Sequence, residues 1–185
     1  MTGSERAVSP GLGKRRLIAW AVMLFTFFVC VFLPEVVSAG WHLTHGNSAS
    51  FQEWKVPVPW GWRSFTGDDT LIVQRMHRLY FRPKAFSQIM VGALSLPANA
   101  PYDYEKQKRS LIDHASREGY QFRGEHRVRI EAKDGYCISF TTIQNAQRLW
   151  ITCDIPDLHL SVSFIGNQSY APALDSIIER IRRAD

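Results

Sequence analysis

The sequence of 185 residues contains little that identifies an enzyme or a nucleic-acid-binding protein. It has only three cysteines, and it lacks a phosphate-binding loop, a dinucleotide fingerprint and a paired zinc motif. It also lacks the Gly-X-Ser-X-Gly turn that presents a nucleophilic serine. Its net charge of +5 is not arranged as a basic stripe interleaved with aromatic residues. We therefore predict no catalytic activity, no cofactor and no nucleic-acid partner.

Charged residues are also absent from the stretch 17–33 (LIAWAVMLFTFFVCVFL), which directly follows Lys14, Arg15 and Arg16. At about 1.5 Å per helical residue this stretch spans roughly 25 Å, close to the thickness of a bilayer core. No lysine or arginine occurs again until Lys55, and basic residues remain on the cytoplasmic side of a membrane. The sequence therefore predicts a cytoplasmic tail at 1–16 and a single transmembrane helix at 17–33, with the rest of the chain outside the cytoplasm.

A cleaved signal peptide is the alternative interpretation of this segment. The residues Val37, Ser38 and Ala39 stand where a signal peptidase would cut, which would leave Gly40 as the new N-terminus. The apolar part of a signal peptide usually has about 7–15 residues, and the stretch here is longer. An uncleaved anchor is therefore the favoured interpretation.

After the anchor, we predict a linker at 34–50 and one extracytoplasmic domain at 51–185. The segments 51–56, 70–81 and 86–96 have the composition of strands, whereas 103–118 is helical in composition and is followed by the stop signal Gly119. Near the C-terminus, Pro172 begins a segment with apolar residues at helical spacing, which predicts an amphipathic helix.

Between the two helices, apolar and polar residues alternate in four consecutive segments, which predicts an antiparallel meander with one buried face. The fold class predicted is therefore α+β, an antiparallel β-sheet with a meander, packed by two helices and preceded by one transmembrane helix. The loop 133–135 resembles a three-residue hairpin loop, and in that register Cys137 lies opposite Thr152. We therefore expect Cys137 and Cys153 to be separate thiols. A disulfide between them is the alternative, because exported cysteines often pair.

The order of these elements resembles the PsbP-like fold, whose members include the photosystem subunit PsbP and bacterial exported proteins such as DcrB. The features that carry the resemblance are a strand that ends in a Pro-X-Gly-Trp turn at 59–62, a helix led by Pro and Asp after a long strand, the meander, and a closing helix at 171–183. The resemblance covers most of 51–185. It implies a non-enzymatic accessory module that binds a partner.

Three tryptophans, Trp54, Trp60 and Trp62, lie within nine positions of one another. The first interpretation is that they pack in the core. They are otherwise suited to contact the headgroup region of a membrane, or to form a stacking platform for a glycan or a peptide.

Two other groups of residues have the chemistry of a site but not the arrangement. His42 and His45 have the spacing of a pair of metal ligands. Zinc needs three or four ligands, and Glu35 is the one carboxylate or thiol residue that the neighbouring stretch 34–51 adds to them. We therefore predict no metal site. A set of serine, aspartate and histidine residues that resembles a catalytic triad lies on one short predicted helix, where adjacent residues point apart and cannot act together. The thiol of Cys137 lies within a predicted strand, where no helix N-terminus lowers its pKa. The residues of the triad-like set are Ser110, Asp113, His114 and Ser116.

The predicted function is that of a membrane-anchored accessory domain in a bacterial cell envelope, which binds a protein partner without chemistry of its own. The first alternative is a module that binds a glycan or a peptide through the three tryptophans. The weakest alternative is a hydrolase that uses His114 or Cys137.

Overall fold

A computed structural model describes residues 11–67, 69–75, 86–96, 101–144 and 147–184 of the chain. These residues form three α-helices and ten β-strands. The helices are α1 (Gly11–His45), α2 (Tyr104–Arg117) and α3 (Pro172–Ile178). The strands are β1 (Ser48–Phe51), β2 (Trp54–Pro57), β3 (Arg63–Thr66), β4 (Thr70–Arg75), β5 (Ser87–Ala93), β6 (Tyr120–Ile130), β7 (Lys133–Thr142), β8 (Arg148–Ile155), β9 (Leu160–Asn167) and β10 (Arg182–Arg183).

Antiparallel pairing organises the strands into two sheets. Seven strands form the larger sheet in the order β3-β4-β5-β9-β8-β7-β6, and three form the smaller sheet in the order β1-β2-β10. The predicted α+β class and the four-strand meander, which is β6 to β9, are thus confirmed. The predicted strand 51–56 is instead a tight hairpin, in which Phe51 pairs with Trp54. Of the predicted strand 70–81, residues 76–81 lie outside the described part of the chain.

The meander is covered on both faces, and not on one face as the sequence pattern suggests. The main core lies between one face of the larger sheet, the hairpin β1–β2 and helix α3, and it includes Trp54, Phe164 and Ile177. A second, smaller core lies on the opposite face, where Ala115 of α2 packs with Ile138 and Phe140 of β7. Helix α2 begins after Asp103, whose carboxylate accepts a hydrogen bond from the Lys106 N–H at 3.0 Å, as in a standard N-cap.

The second core explains why the predicted register of the meander is wrong. The hairpin loop consists of the two residues Glu131 and Ala132, both with positive φ, so Ile130 pairs with Lys133. The resulting register places Cys137 directly opposite Cys153. Taken alone, this register is costly because it removes Ile138 and Phe140 from the main core. Helix α2 offsets that cost because it buries both side chains on the other face.

The ends of the chain also differ from the sequence prediction. Helix α3 ends at Ile178, and the chain then turns back so that Arg182 and Arg183 pair with β2. The predicted linker 34–50 is helical as far as His45 and then enters β1. No single helix among the described residues is both long and apolar enough to cross a membrane. The pair Lys14–Phe28 and Cys30–His45, bent by 55°, has that length and composition when taken together.

Candidate functional site

The structure separates the three tryptophans that the sequence groups together. Trp54 and Trp62 are each only 2 % exposed and belong to the main core, whereas Trp60 is 68 % exposed. Trp62 meets the ring of Tyr170 edge-on, with the ring centroids 6.3 Å apart. A stacking platform built from all three rings is therefore absent from the structure, because two of them have no face available to a ligand.

The turn 59–62 is responsible for this separation. The Trp62 N–H donates to the Pro59 carbonyl at 3.0 Å, and Gly61, the third residue of the turn, has φ +84°. Glycine is favoured at this position because other residues rarely adopt a positive φ. A Cβ atom on Gly61 would also lie 2.6 Å from the guanidinium of Arg75, which itself packs 4.7 Å above the ring of Tyr170. The Pro-X-Gly-Trp motif thus directs one tryptophan outward and the next into the core.

We expect Gly61→Ala to destabilise the domain by about 2 kcal/mol, because it combines the strain of a positive φ with displacement of the Arg75 guanidinium from the ring of Tyr170. Gly46→Ala is the matched control, since Gly46 also has a positive φ of 75° but a Cβ there meets no atom within 4 Å. Urea unfolding of both variants isolates the contribution of the Arg75 contact. Equal losses in the two variants would contradict the proposed role of Arg75.

Helix α1 is attached to the domain through this same turn. The Ser38 hydroxyl donates to the Trp62 carbonyl at 3.0 Å, and His42 Nε2 lies 3.2 Å from the Pro59 carbonyl oxygen. The His42 ring also stacks on Trp60, with the centroids 4.9 Å apart. About the last two turns of α1 are therefore held against the turn 59–62 by hydrogen bonds and ring stacking.

The two histidines of the predicted metal-pair spacing are engaged in other contacts. His42 Nδ1 lies 3.0 Å from the Gly46 carbonyl oxygen, and the His45 ring stacks on Trp41. Within the described ranges, no three His, Cys, Asp or Glu side chains come together in a way that could hold a metal ion.

The structure does not assemble a nucleophile with a base from the residues considered in the sequence. His114 is exposed on α2 and meets Trp150 edge-on, with the centroids 6.0 Å apart. The other residues of the triad-like set are also exposed on α2, namely Ser110, Asp113 and Ser116. The thiol of Cys137 is bonded to Cys153, with the two Cα atoms 3.9 Å apart, so the expectation of separate thiols is wrong. This sulfur is therefore not a free nucleophile.

A buried carboxylate that sequence reasoning missed lies on the α2 face of the sheet. Asp154 accepts hydrogen bonds from the Ser161 hydroxyl at 2.8 Å and from the Tyr102 phenol at 3.1 Å. Burial raises the pKa of Asp154 despite these two donors, and burial next to this carboxylate raises the pKa of Tyr102 as well. The strand alternation alone gave no indication of burial here, because the face that holds Asp154 is covered only once α2 and the segment before it pack on the sheet.

We expect Asp154→Asn to remove a pH dependence of stability. The pKa of Asp154 is raised in the folded state above its ordinary value of 3.8, so the folded state binds the proton more tightly than the unfolded state. Stability therefore falls as the pH rises from 3.8 through the pKa of the folded state, and asparagine cannot take part in this effect. Urea unfolding between about pH 3.5 and pH 7 measures it. The exposed Asp113→Asn is the control, and parallel curves for the parent and Asp154→Asn would contradict the prediction.

Next to Asp154, a second polar contact joins α2 to strand β6. The phenol of Tyr104 donates to Glu125 at 2.6 Å, and Lys108 Nζ lies 2.6 Å from the same carboxylate oxygen. The Tyr104 ring stacks on Tyr136, with the centroids 4.4 Å apart. These contacts fix the beginning of α2 over the sheet, which is a structural role.

A cavity of about 570 Å³ lies between the hairpin β1–β2 and the chain that follows α3. Its charged side chains are mainly basic, and its lining comprises Pro57 and Ile181 together with the polar and charged residues Asn47, Ser48, Lys55, Glu179, Arg180 and Arg182. Sequence reasoning missed this cavity because the lining residues come from segments far apart in the chain. Only the pairing of β10 with β2 brings Arg182 next to Lys55. This cavity is therefore a candidate site for binding a ligand or a partner.

Comparison with known proteins finds similar solved structures but no similar sequence. No family model and no curated protein matches the sequence. The solution structure of cyanobacterial PsbP (CyanoP) from Synechocystis sp. PCC 6803 is similar with a TM-score of 0.50 at 8% identity, and the match covers 74% of this chain and 91% of that chain. A protein of unknown function from Pseudomonas aeruginosa gives a TM-score of 0.44 at 9% identity, over 75% of this chain and 96% of the other. The chain thus has a PsbP-like fold, which confirms the resemblance seen in the sequence.

Proposed function

We propose that the protein is a single-pass membrane protein whose PsbP-like domain lies outside the cytoplasm and binds a protein partner in the cell envelope. The observation that carries the proposal is the division of α1 into two parts. Its first part presents large apolar side chains outward, with Leu17 73 % exposed and Phe25 69 % exposed. The first part of α1 is therefore most stable within a lipid bilayer, because water solvates a long apolar surface poorly.

The second part of α1 supports an anchor that is retained rather than cleaved. Ser38 is buried and bonded to Trp62, and His42 is held by the turn 59–62. Cleavage after Ala39 would remove Ser38 and the helical turns before it from this contact. The domain would then lose a packed segment, so we propose that α1 remains attached and that it holds the domain directly at the membrane surface without a flexible linker.

The direction of insertion follows from charge. Lys14, Arg15 and Arg16 precede the apolar segment, and we propose that they keep the N-terminus in the cytoplasm. The disulfide between Cys137 and Cys153 supports an oxidising compartment for the domain, because disulfides persist outside the cytoplasm.

We propose that this domain has an accessory role and does not catalyse a reaction. Two observations support it: the sulfur of Cys137 is held in a disulfide, and His114 is exposed on α2 with an aromatic ring as its neighbour. The basic cavity beside β2 and β10 offers cationic and polar side chains, which suit binding rather than bond-breaking. We therefore propose that the domain acts through contact with a partner.

Labelling of Cys30 tests the anchor and the topology together, because this cysteine is free and exposed on the apolar part of α1. In sealed membranes of the native cell, we expect a membrane-impermeant maleimide to label Cys30 only after detergent is added. The control is Cys30→Ala/Ser50→Cys, in which the new thiol on the exposed surface of β1 should be labelled from outside the cytoplasm without detergent. Labelling of Cys30 in sealed membranes, or a mature mass that lacks residues 1–39, would contradict the proposal.

A further inference from the structure

The basic cavity contains a pair of like charges that the fold itself does not balance. Lys55 and Arg182 are direct partners across the β2–β10 pair. Side chains in such positions are about 5 Å apart at Cβ, where two positive charges repel each other. Both side chains are exposed, and neither takes part in an ion pair with the carboxylates of the described ranges.

The next residue along the strand shows how the same fold balances a charge when it is structural. The Arg183 guanidinium lies 3.7 Å from Glu53 and 4.0 Å from Glu131, and it covers the ring of Trp54 at 5.5 Å. Because neighbouring residues of a strand point to opposite faces, Arg183 meets these carboxylates while Arg182 faces the cavity. The imbalance is therefore confined to the cavity side of β10.

A third cation stands at the edge of the cavity in a fixed position. The guanidinium of Arg180 donates from Nε to the Ser176 carbonyl oxygen at 3.1 Å, and from Nη2 to the Ser176 hydroxyl. Among the described residues of the lining, Glu179 is the single carboxylate, against three cationic side chains. The opposite wall presents the amide of Asn47 and the hydroxyl of Ser48, both able to hydrogen-bond a peptide.

These features select the ligand by charge and by size. Arginine and lysine bind carboxylates and phosphates through charge-assisted hydrogen bonds. A volume of about 570 Å³ is larger than a single phosphate ion requires and lies within the range of ligand pockets. The cavity begins beyond the C-terminal end of α1, so the packed segment 34–45 separates it from the apolar segment by about 18 Å of helix. A carboxylate-bearing chain fits this position better than a lipid headgroup.

We infer that this cavity binds an acidic peptide segment of the partner protein, with Lys55, Arg180 and Arg182 as its charge contacts. The inference rests on the proposed partner-binding function and adds the chemistry of the partner. Removing the two cross-strand cations should weaken the binding of acidic peptide without weakening the fold, because they repel each other in the unbound protein.

The test uses the full chain in a neutral detergent and a fluorescein-labelled hexaglutamate peptide, with binding measured by fluorescence anisotropy. We expect Lys55→Gln/Arg182→Gln to bind the peptide at least about tenfold more weakly than the parent. The control is Arg129→Gln/Lys133→Gln, which removes the same charge at exposed positions that pair with Asp134 and Asp157. It should bind within about twofold of the parent, and the parent should bind less tightly at high salt.

The outcomes are distinguishable. The inference is supported if the cavity variant alone loses binding while its melting temperature is no lower than that of the parent. It is overturned if the peptide does not bind, or if both double variants lose binding equally. It is also overturned if Lys55 and Arg182 are needed only for binding inorganic phosphate or vesicles that contain phosphatidylglycerol. If the cavity variant cross-links to the same envelope protein as the parent, the inference fails but the proposed function stands.

Discussion

Replacing Ile177 with aspartate is expected to unfold the domain. Ile177 is fully buried in the seam between α3 and the larger sheet, together with Leu174 and Ile178. A carboxylate at this position has no basic partner, and its desolvation costs several kcal/mol. We expect a loss of more than about 4 kcal/mol, which approaches the whole stability of a domain at the low end of the usual range of about 5–15 kcal/mol. Thermal melting followed by tryptophan fluorescence is the measurement, because Trp54 and Trp62 report directly on the core.

Ser176→Asp is the control for this experiment. Ser176 precedes Ile177 on the same helix but contacts Arg180 at the surface, so the new carboxylate has water and a cation beside it. This variant should melt within a few degrees of the parent. A parent-like melting curve for Ile177→Asp would show that α3 is not packed on the sheet and that the fold described here is wrong.

Loss of the disulfide between Cys137 and Cys153 is expected to lower the free energy of unfolding by about 3 kcal/mol. The two residues are 16 positions apart, and a cross-link of this span restricts the unfolded chain by roughly that amount. We expect the same decrease for the parent under reducing conditions and for Cys137→Ala/Cys153→Ala, both measured by urea unfolding. Because Cys30 is a free thiol, alkylation should modify one cysteine before reduction and three after it.

The double alanine variant also provides the control for the reductant. Its unfolding curve should be the same with and without reductant, since no cross-link remains. Alkylation of three cysteines in the unreduced denatured parent would contradict the disulfide. A parent whose unfolding midpoint does not change on reduction would contradict its contribution to stability.

The elements whose signals lie within a few neighbouring residues could be predicted from the sequence. The helical composition of 103–118 and the stop signal Gly119 predict helix α2, which runs over Tyr104–Arg117. The four segments of the meander were recognised by alternation, and the motif at 59–62 indicated the PsbP-like fold. Capping, alternation and turn preferences operate locally, so a chain records them without reference to its tertiary structure.

The candidate site was only partly predictable. The sequence drew attention to Trp54, Trp60 and Trp62, but their burial depends on which way the turn around Gly61 directs each ring. The basic cavity gave no signal, because Lys55 and Arg182 become neighbours only when β10 adds to β2. The sequence does not predict the end of α3 at Ile178, because Ile181 continues the helical spacing although it is buried in the segment between α3 and β10.

By itself the sequence determined the apolar segment, the order of most elements and the α+β class, because each depends on composition or periodicity over a short stretch. The tertiary structure decided the register of the meander, the pairing of Cys137 with Cys153 and the attachment of α1 to the turn 59–62. Strand register depends on which faces of the sheet are covered, and here α2 covers the face that holds Ile138 and Phe140. Long-range contacts of this kind compete with one another in free energy, and only the assembled fold shows which of them prevail.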